Sequence, residues 1–157
     1  MGWSIKIGNA VPMSRENALN EHGDGWTVYR FSVEDAEHPD APFWESQPET
    51  GAVDISGKTN NRSPSYASFH EFLKKTGITG NDVPAFGALG SDSNCYVLRP
   101  EHRDAVAKAR KAWEARHPGA VPGWGAGLDA ILARLIWYEW WMTWALENCE
   151  RPAIEMA

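Results

Sequence analysis

Leu128-Asp-Ala-Ile-Leu-Ala-Arg-Leu-Ile-Trp-Tyr-Glu-Trp-Trp-Met-Thr-Trp-Ala-Leu-Glu-Asn-Cys149 is a helix-length run that holds four of the chain's nine tryptophans, at Trp137, Trp140, Trp141 and Trp144. An α-helix turns about 100° per residue. With Leu128 as origin, Leu128, Ile131, Leu132, Leu135, Met142 and Leu146 gather within about 60° on either side, and the four tryptophans gather opposite them. A helix apolar on two faces is either buried between layers or presents one face to a partner. The Leu face is expected on a sheet. The Trp face is expected either on a second helix and loops, or partly exposed as an interface, with a homodimer as its commonest form. Glu139 lies at about 20° on the same wheel, in the middle of the aliphatic face. A carboxylate there must be paired, hydrogen-bonded or neutralised. The expected partner is an ion pair or a Tyr, Trp or His donor. The functional alternative is an acid in a ligand pocket.

The segment is not a membrane span. Asp129, Arg134 and Glu139 interrupt it, and a bilayer needs roughly 20 apolar residues. Met1 to Ile7 lacks the basic region and long apolar run of a signal peptide. A cytoplasmic setting follows, with Cys95 and Cys149 as reduced thiols, although a bridge between them stays open. The net charge of −6 disfavours nucleic acid as a partner. With 157 residues, 43% hydrophobic and 23% charged, the chain reads as a single globular domain over 1–157.

Working outward, Trp3 to Ile7 alternates like a strand, and Trp26 to Val33 is rich in aromatic and β-branched residues. His22 to Gly25 is a turn signal between them. Glu34 to Thr50, with three prolines, reads as a surface loop, Ala52 to Ile55 as a third short strand, and Gly57 to Arg62 as a polar loop. Ser63-Pro64 opens a helix carrying Tyr66, Phe69, His70 and Leu73, and Gly77 stops it. Residues 77–94 look irregular, and Tyr96 to Leu98 suits a short strand. Pro100 starts a second helix that runs to Arg116, and Pro152 ends the Trp-rich helix. The expected fold is α+β: a small antiparallel sheet from the N-terminal half, covered by two or three helices, with 1–56 mainly β and loops and 63–157 mainly helical.

The sequence holds no motif that names a reaction. None of the five histidines stands in HExxH or HxH spacing, neither cysteine has zinc-ribbon or nucleophile context, and there is no Walker or GxSxG pattern. No metal and no cofactor is implied. His117 suits a helix C-terminus, where a cation favours the dipole. His70, His117 and Glu139 are the acid–base candidates if distant segments meet. Arg62, Ser63 and Ser65 lead into a helix N-terminus, where an anion can bind. The basic residues between Arg103 and Arg116 form an amphipathic face, read as solvated or as a patch for an acidic partner.

Arg62 to Phe72 and Trp137 to Pro152 resemble segments of small bacteriophage and prophage proteins with no assigned activity. The resemblance implies phage or prophage origin and the cytoplasm of an infected or lysogenic cell, and it carries no site residue. The functional expectation is an accessory protein that acts by binding, to a second copy or to a host protein. The alternative, from another class, is a small enzyme or a small-molecule or nucleotide-binding protein with a pocket around Glu139 and Arg62 to Ser65.

Overall fold

The computed structural model describes residues 4–13, 31–42, 58–87 and 94–156. The turn at 22–25, the first part of the strand expected over 26–33, the strand expected over 52–55, the loop after 42 and part of the irregular stretch near 90 lie outside them. Among the described residues the elements run β1 (Ile5–Pro12), β2 (Phe31–Val33), β3 (Asn61–Arg62), α1 (Tyr66–Thr76), a 3-10 turn (Pro84–Gly87), β4 (Asn94–Val97), α2 (Pro100–Arg116), α3 (Ala130–Asn148) and β5 (Pro152–Met156). The architecture is α+β, an antiparallel sheet in the order β2-β1-β5-β4, with β3 also paired to β1.

β1 is the organising strand. Ile5 pairs with Met156 and Ile7 with Ile154, while Ala10 pairs with Val33. The two-residue period of a strand sends Ile5, Ile7, Ile154 and Met156 into the main core, and Ala10, Val33 and Ala153 into a smaller cluster with Cys95 beside it. Two strands come from the second half of the chain, so the helices are interleaved with the sheet. β5 has no counterpart in the sequence reading, which took Pro152 only as a helix stop. The long helix ends at Asn148, with Cys149 as its C-cap, and Pro152 instead opens the strand that lies between β1 and β4. Proline is tolerated at the first position of a strand. Its carbonyl accepts the Leu98 N–H at 3.0 Å.

Asn60 fastens the loop after β2 to the sheet. Fully buried, it donates through Nδ2 to the Ile7 and Glu34 carbonyls, both at 2.9 Å, and accepts the Ala36 N–H at 2.9 Å. Gly8 makes room for it: a Cβ at Gly8 would lie 3.0 Å from that same Nδ2.

The helices stop and start for local reasons. Ser65, not Ser63, caps α1, its hydroxyl accepting the Ser68 N–H at 3.2 Å. Gly77 ends α1 at φ +76°, a conformation that favours glycine. Pro100 occupies the first turn of α2, where its missing N–H costs nothing. His102 Nδ1 accepts the Arg99 N–H at 3.0 Å, so that nitrogen carries no proton. Burial lowers the His102 pKa, and the neighbouring charges of Glu101 and Arg99 have smaller, opposed effects.

α3 packs on β1, β5 and α2. Its Leu and Trp rows join into one buried band, because Tyr138 and Ala145, between the rows, are fully buried. Phe72 and Phe86 meet Tyr138 with ring centroids 5.3 and 5.0 Å away, and Phe69 packs edge-on against Phe86 at 5.6 Å. Burial pushes the Tyr138 phenol pKa up. Among the described residues no helix is long and apolar enough to cross a membrane.

Candidate functional site

The residues singled out from sequence do not converge. Glu139 is not in the core: its side chain is 27% exposed and pairs with Arg110 at 3.0 Å. The ion pair is the one the sequence leads one to expect, but the aliphatic face is open at that edge: Ile131 and Leu146 are only partly buried and Leu128 is 44% exposed. His70 is exposed on α1. His117 caps α2, its Nδ1 3.0 Å from the Trp113 carbonyl and its ring stacked on Trp113 at 4.1 Å. Because a carbonyl only accepts, that contact puts the proton on Nδ1.

Arg62, the expected anion ligand, is buried and turned inward. Its Nη1 donates to Thr59 Oγ1 at 2.9 Å and to the Asn61 carbonyl at 2.5 Å, and its guanidinium lies 5.5 Å over the Trp137 ring. Ser65 is committed to its own cap, and Ser63 is half-buried before it. The helix start therefore has no free arginine facing an anion. The four expected interface tryptophans split: Trp137 and Trp141 are fully buried, and Trp140 and Trp144 are partly buried.

Two depressions flank α3. The smaller, about 410 Å³, includes Arg110, Glu139, Trp140, Trp144 and His38. Arg110 bridges Glu114 and Glu139 there, and His38 meets Trp140 edge-on at 5.1 Å. The larger is an open cleft of about 990 Å³ between α1, the C-terminal turn of α2, the 118–128 loop and the first turns of α3. Sequence reasoning missed this cleft: Trp124 stands out in its Gly/Pro loop, but nothing in the sequence says what it faces.

Asp129 builds the cleft's corner. Its Oδ1 accepts the Leu132 N–H at 2.9 Å, capping α3, and its Oδ2 accepts Trp113 Nε1 at 2.6 Å. One carboxylate thus fixes a helix start and a cleft wall. Arg134 forms the base: buried to 3% exposure, it donates to the Ser68 carbonyl at 3.0 Å and to the Ser68 hydroxyl, and sits 5.4 Å under the Trp124 ring. Arg116 lies 5.6 Å over Trp113. At the mouth, Lys75 pairs with Glu71 at 2.8 Å. That hydrogen bond and charge, with a smaller contribution from Arg134, hold the Glu71 carboxyl below its usual pKa. The arrangement offers aromatic faces, guanidinium groups and loop backbone to a ligand.

Both cysteines are free thiols. Burial, with Glu155 nearby, pushes Cys95 up to about 11, and burial with the Glu34 charge raises Cys149. Neither is an activated thiolate. Among the described residues no three His, Cys, Asp or Glu side chains gather as a metal site would require. No protein family, curated protein or solved structure matches the chain.

Proposed function

We propose that the protein acts by binding another protein chain, as an accessory protein of the bacteriophage type in the host cytoplasm, and that it does so at the cleft beside the 118–128 loop. The observation that carries this reading is the exposure of Val121 (54%), Trp124 (40%) and Leu128 (44%) along one loop at the rim of a concave site. Tryptophan anchors interfaces out of proportion to its frequency, and apolar side chains grouped at a concave site mark contact surfaces. Phage origin rests on the resemblance of the Arg62 and Trp137 segments. The pocket reading around Glu139 loses support because Arg62, His117 and Glu139 are each engaged in separate local contacts and His70 is exposed on α1.

A photo-crosslinking residue in place of Trp124 tests the reading in cells. It should yield a discrete adduct, either with a second copy or with one other protein. The same residue in place of Lys108, exposed on α2 and outside the cleft lining, should yield none. Equal labelling from both positions, or none from Trp124, overturns the proposal.

A further inference from the structure

We propose that the cleft receives an acidic peptide segment bearing an aromatic or aliphatic side chain. This rests on the partner-binding reading above and specifies the partner's chemistry.

The first argument is charge. The chain carries −6 overall, yet among the described residues the cleft is lined by Lys75, Arg116 and Arg134 against Glu71 and Asp129. Both acids are engaged from within. Glu71 holds Lys75, and Asp129 holds the Trp113 indole and the α3 N-terminus. Arg116 makes no ion pair among the described residues and lies on the Trp113 ring. A guanidinium stacked on an aromatic face keeps its in-plane N–H groups for a carboxylate, which it can bind through two parallel hydrogen bonds. The described lining has a small positive excess on an acidic molecule, carried to the surface by Arg116, so attraction to an acidic segment is local and directional.

The second argument is shape and surface. Trp124, Val121 and Leu128 supply an apolar rim next to those cations, which suits a segment carrying an apolar anchor and not a bare anion. Gly125 and Gly127 stand at φ +121° and +80°, and a Cβ built on either meets nothing within 4 Å. The loop leaves open space beside both glycines, and Gly127 is one of the residues that line the cleft. The open volume of about 990 Å³ accommodates several residues of extended chain.

The test uses the whole protein and the acidic–aromatic copolymer poly(Glu,Tyr), titrated by calorimetry, with circular dichroism confirming that each variant is folded. The copolymer should bind saturably and weaken as salt is raised. Arg116→Glu and Trp124→Ala should each weaken it by about fivefold or more, and Lys108→Glu, the same charge reversal outside the cleft, should leave it within about twofold. Absence of binding overturns the proposal, as does equal binding of Arg116→Glu or equal binding of poly(Lys,Tyr). Displacement of the copolymer by adenosine monophosphate or inorganic phosphate at similar concentration assigns the site to small anions and also overturns it. A Trp124 adduct in cells without copolymer binding leaves the partner reading standing and removes the acidic chemistry. Loss of both removes both.

Discussion

Trp141 and Trp140 are adjacent on one helix, yet they do different work. Trp141 faces the core, fully buried, with its ring 6.3 Å from Trp137 and 5.2 Å from Trp144. Trp140 turns towards the α2 side, where it lines the small depression with Arg110 and Glu139. Residue type and spacing are the same kind of information for both. The difference lies in what the rest of the chain brings to each side: on one a strand pair and α1, on the other a basic helix whose Arg110 meets Glu139. The same contrast holds between the two depressions. In the smaller one Glu139 is tied to Arg110, whereas in the larger one Arg116 has no carboxylate among the described residues.

The contrast is most easily broken in the core. Trp141→Ala should cost about 3–5 kcal/mol by chemical denaturation, whereas Trp140→Ala should cost about 1–2 kcal/mol. Equal losses would erase the distinction between the two sides. Trp141→Phe is expected to lie well below Trp141→Ala, because it also removes an indole N–H that has no hydrogen-bond partner among the described residues.

Next comes the corner of the cleft. Asp129→Ala removes both the cap of α3 and the Trp113 bond, and should lower stability by about 1–3 kcal/mol. Asp129→Asn keeps an acceptor oxygen for the cap and should retain more than half of that. A full loss in the Asn variant would show that the charge, and not the cap, holds the corner.

Glu139→Gln probes the outer side and should change stability by no more than about 1 kcal/mol, the range of a solvent-accessible ion pair. A larger loss would return Glu139 to the interior role that the helical wheel gave it.

The smallest effect is a pH slope. His102 is held neutral by burial and its folded pKa is lowered, so the unfolded chain binds the proton first. Its contribution is complete above about pH 6.5, the ordinary histidine value, and is lost as pH falls through the lower folded pKa. His102→Asn should flatten the slope of the denaturation midpoint between neutral and mildly acid pH. An unchanged slope would assign it to other groups.

Where the sequence carried periodic or capping information, it was legible. α2 begins at Pro100 and ends at Arg116 as its proline and its closing His117-Pro118-Gly119 indicate, and Gly77 stops α1. β5 was hidden because Ile154-Glu155-Met156 is too short a period-two pattern to stand out beside a long apolar helix. Asn60 gave no signal, since a fully bonded asparagine depends on carbonyls supplied by Ile7 and Glu34. The cleft was illegible for a related reason. Trp113 is joined to the start of α3 through Asp129, while Arg134 meets Trp124 across the loop, and a lone Asp before a helix announces a cap and nothing more. Glu139 was misjudged because a wheel registers angle but not which side the neighbours leave open.

The place of β5 also sets a timetable for synthesis. Residues 9 and 151 touch across 142 positions of chain, the Arg151 N–H donating to Asn9 Oδ1 at 2.9 Å. At roughly 5–20 residues per second, β1 leaves the ribosome roughly 7–30 s before its central neighbour. During that interval the edge of β1 that β5 will occupy, with Ile5 and Ile7 beside it, is open to any other extended chain. The sheet closes late, after its long helix has been made, so until then the first strand is the part of the fold most open to mispairing.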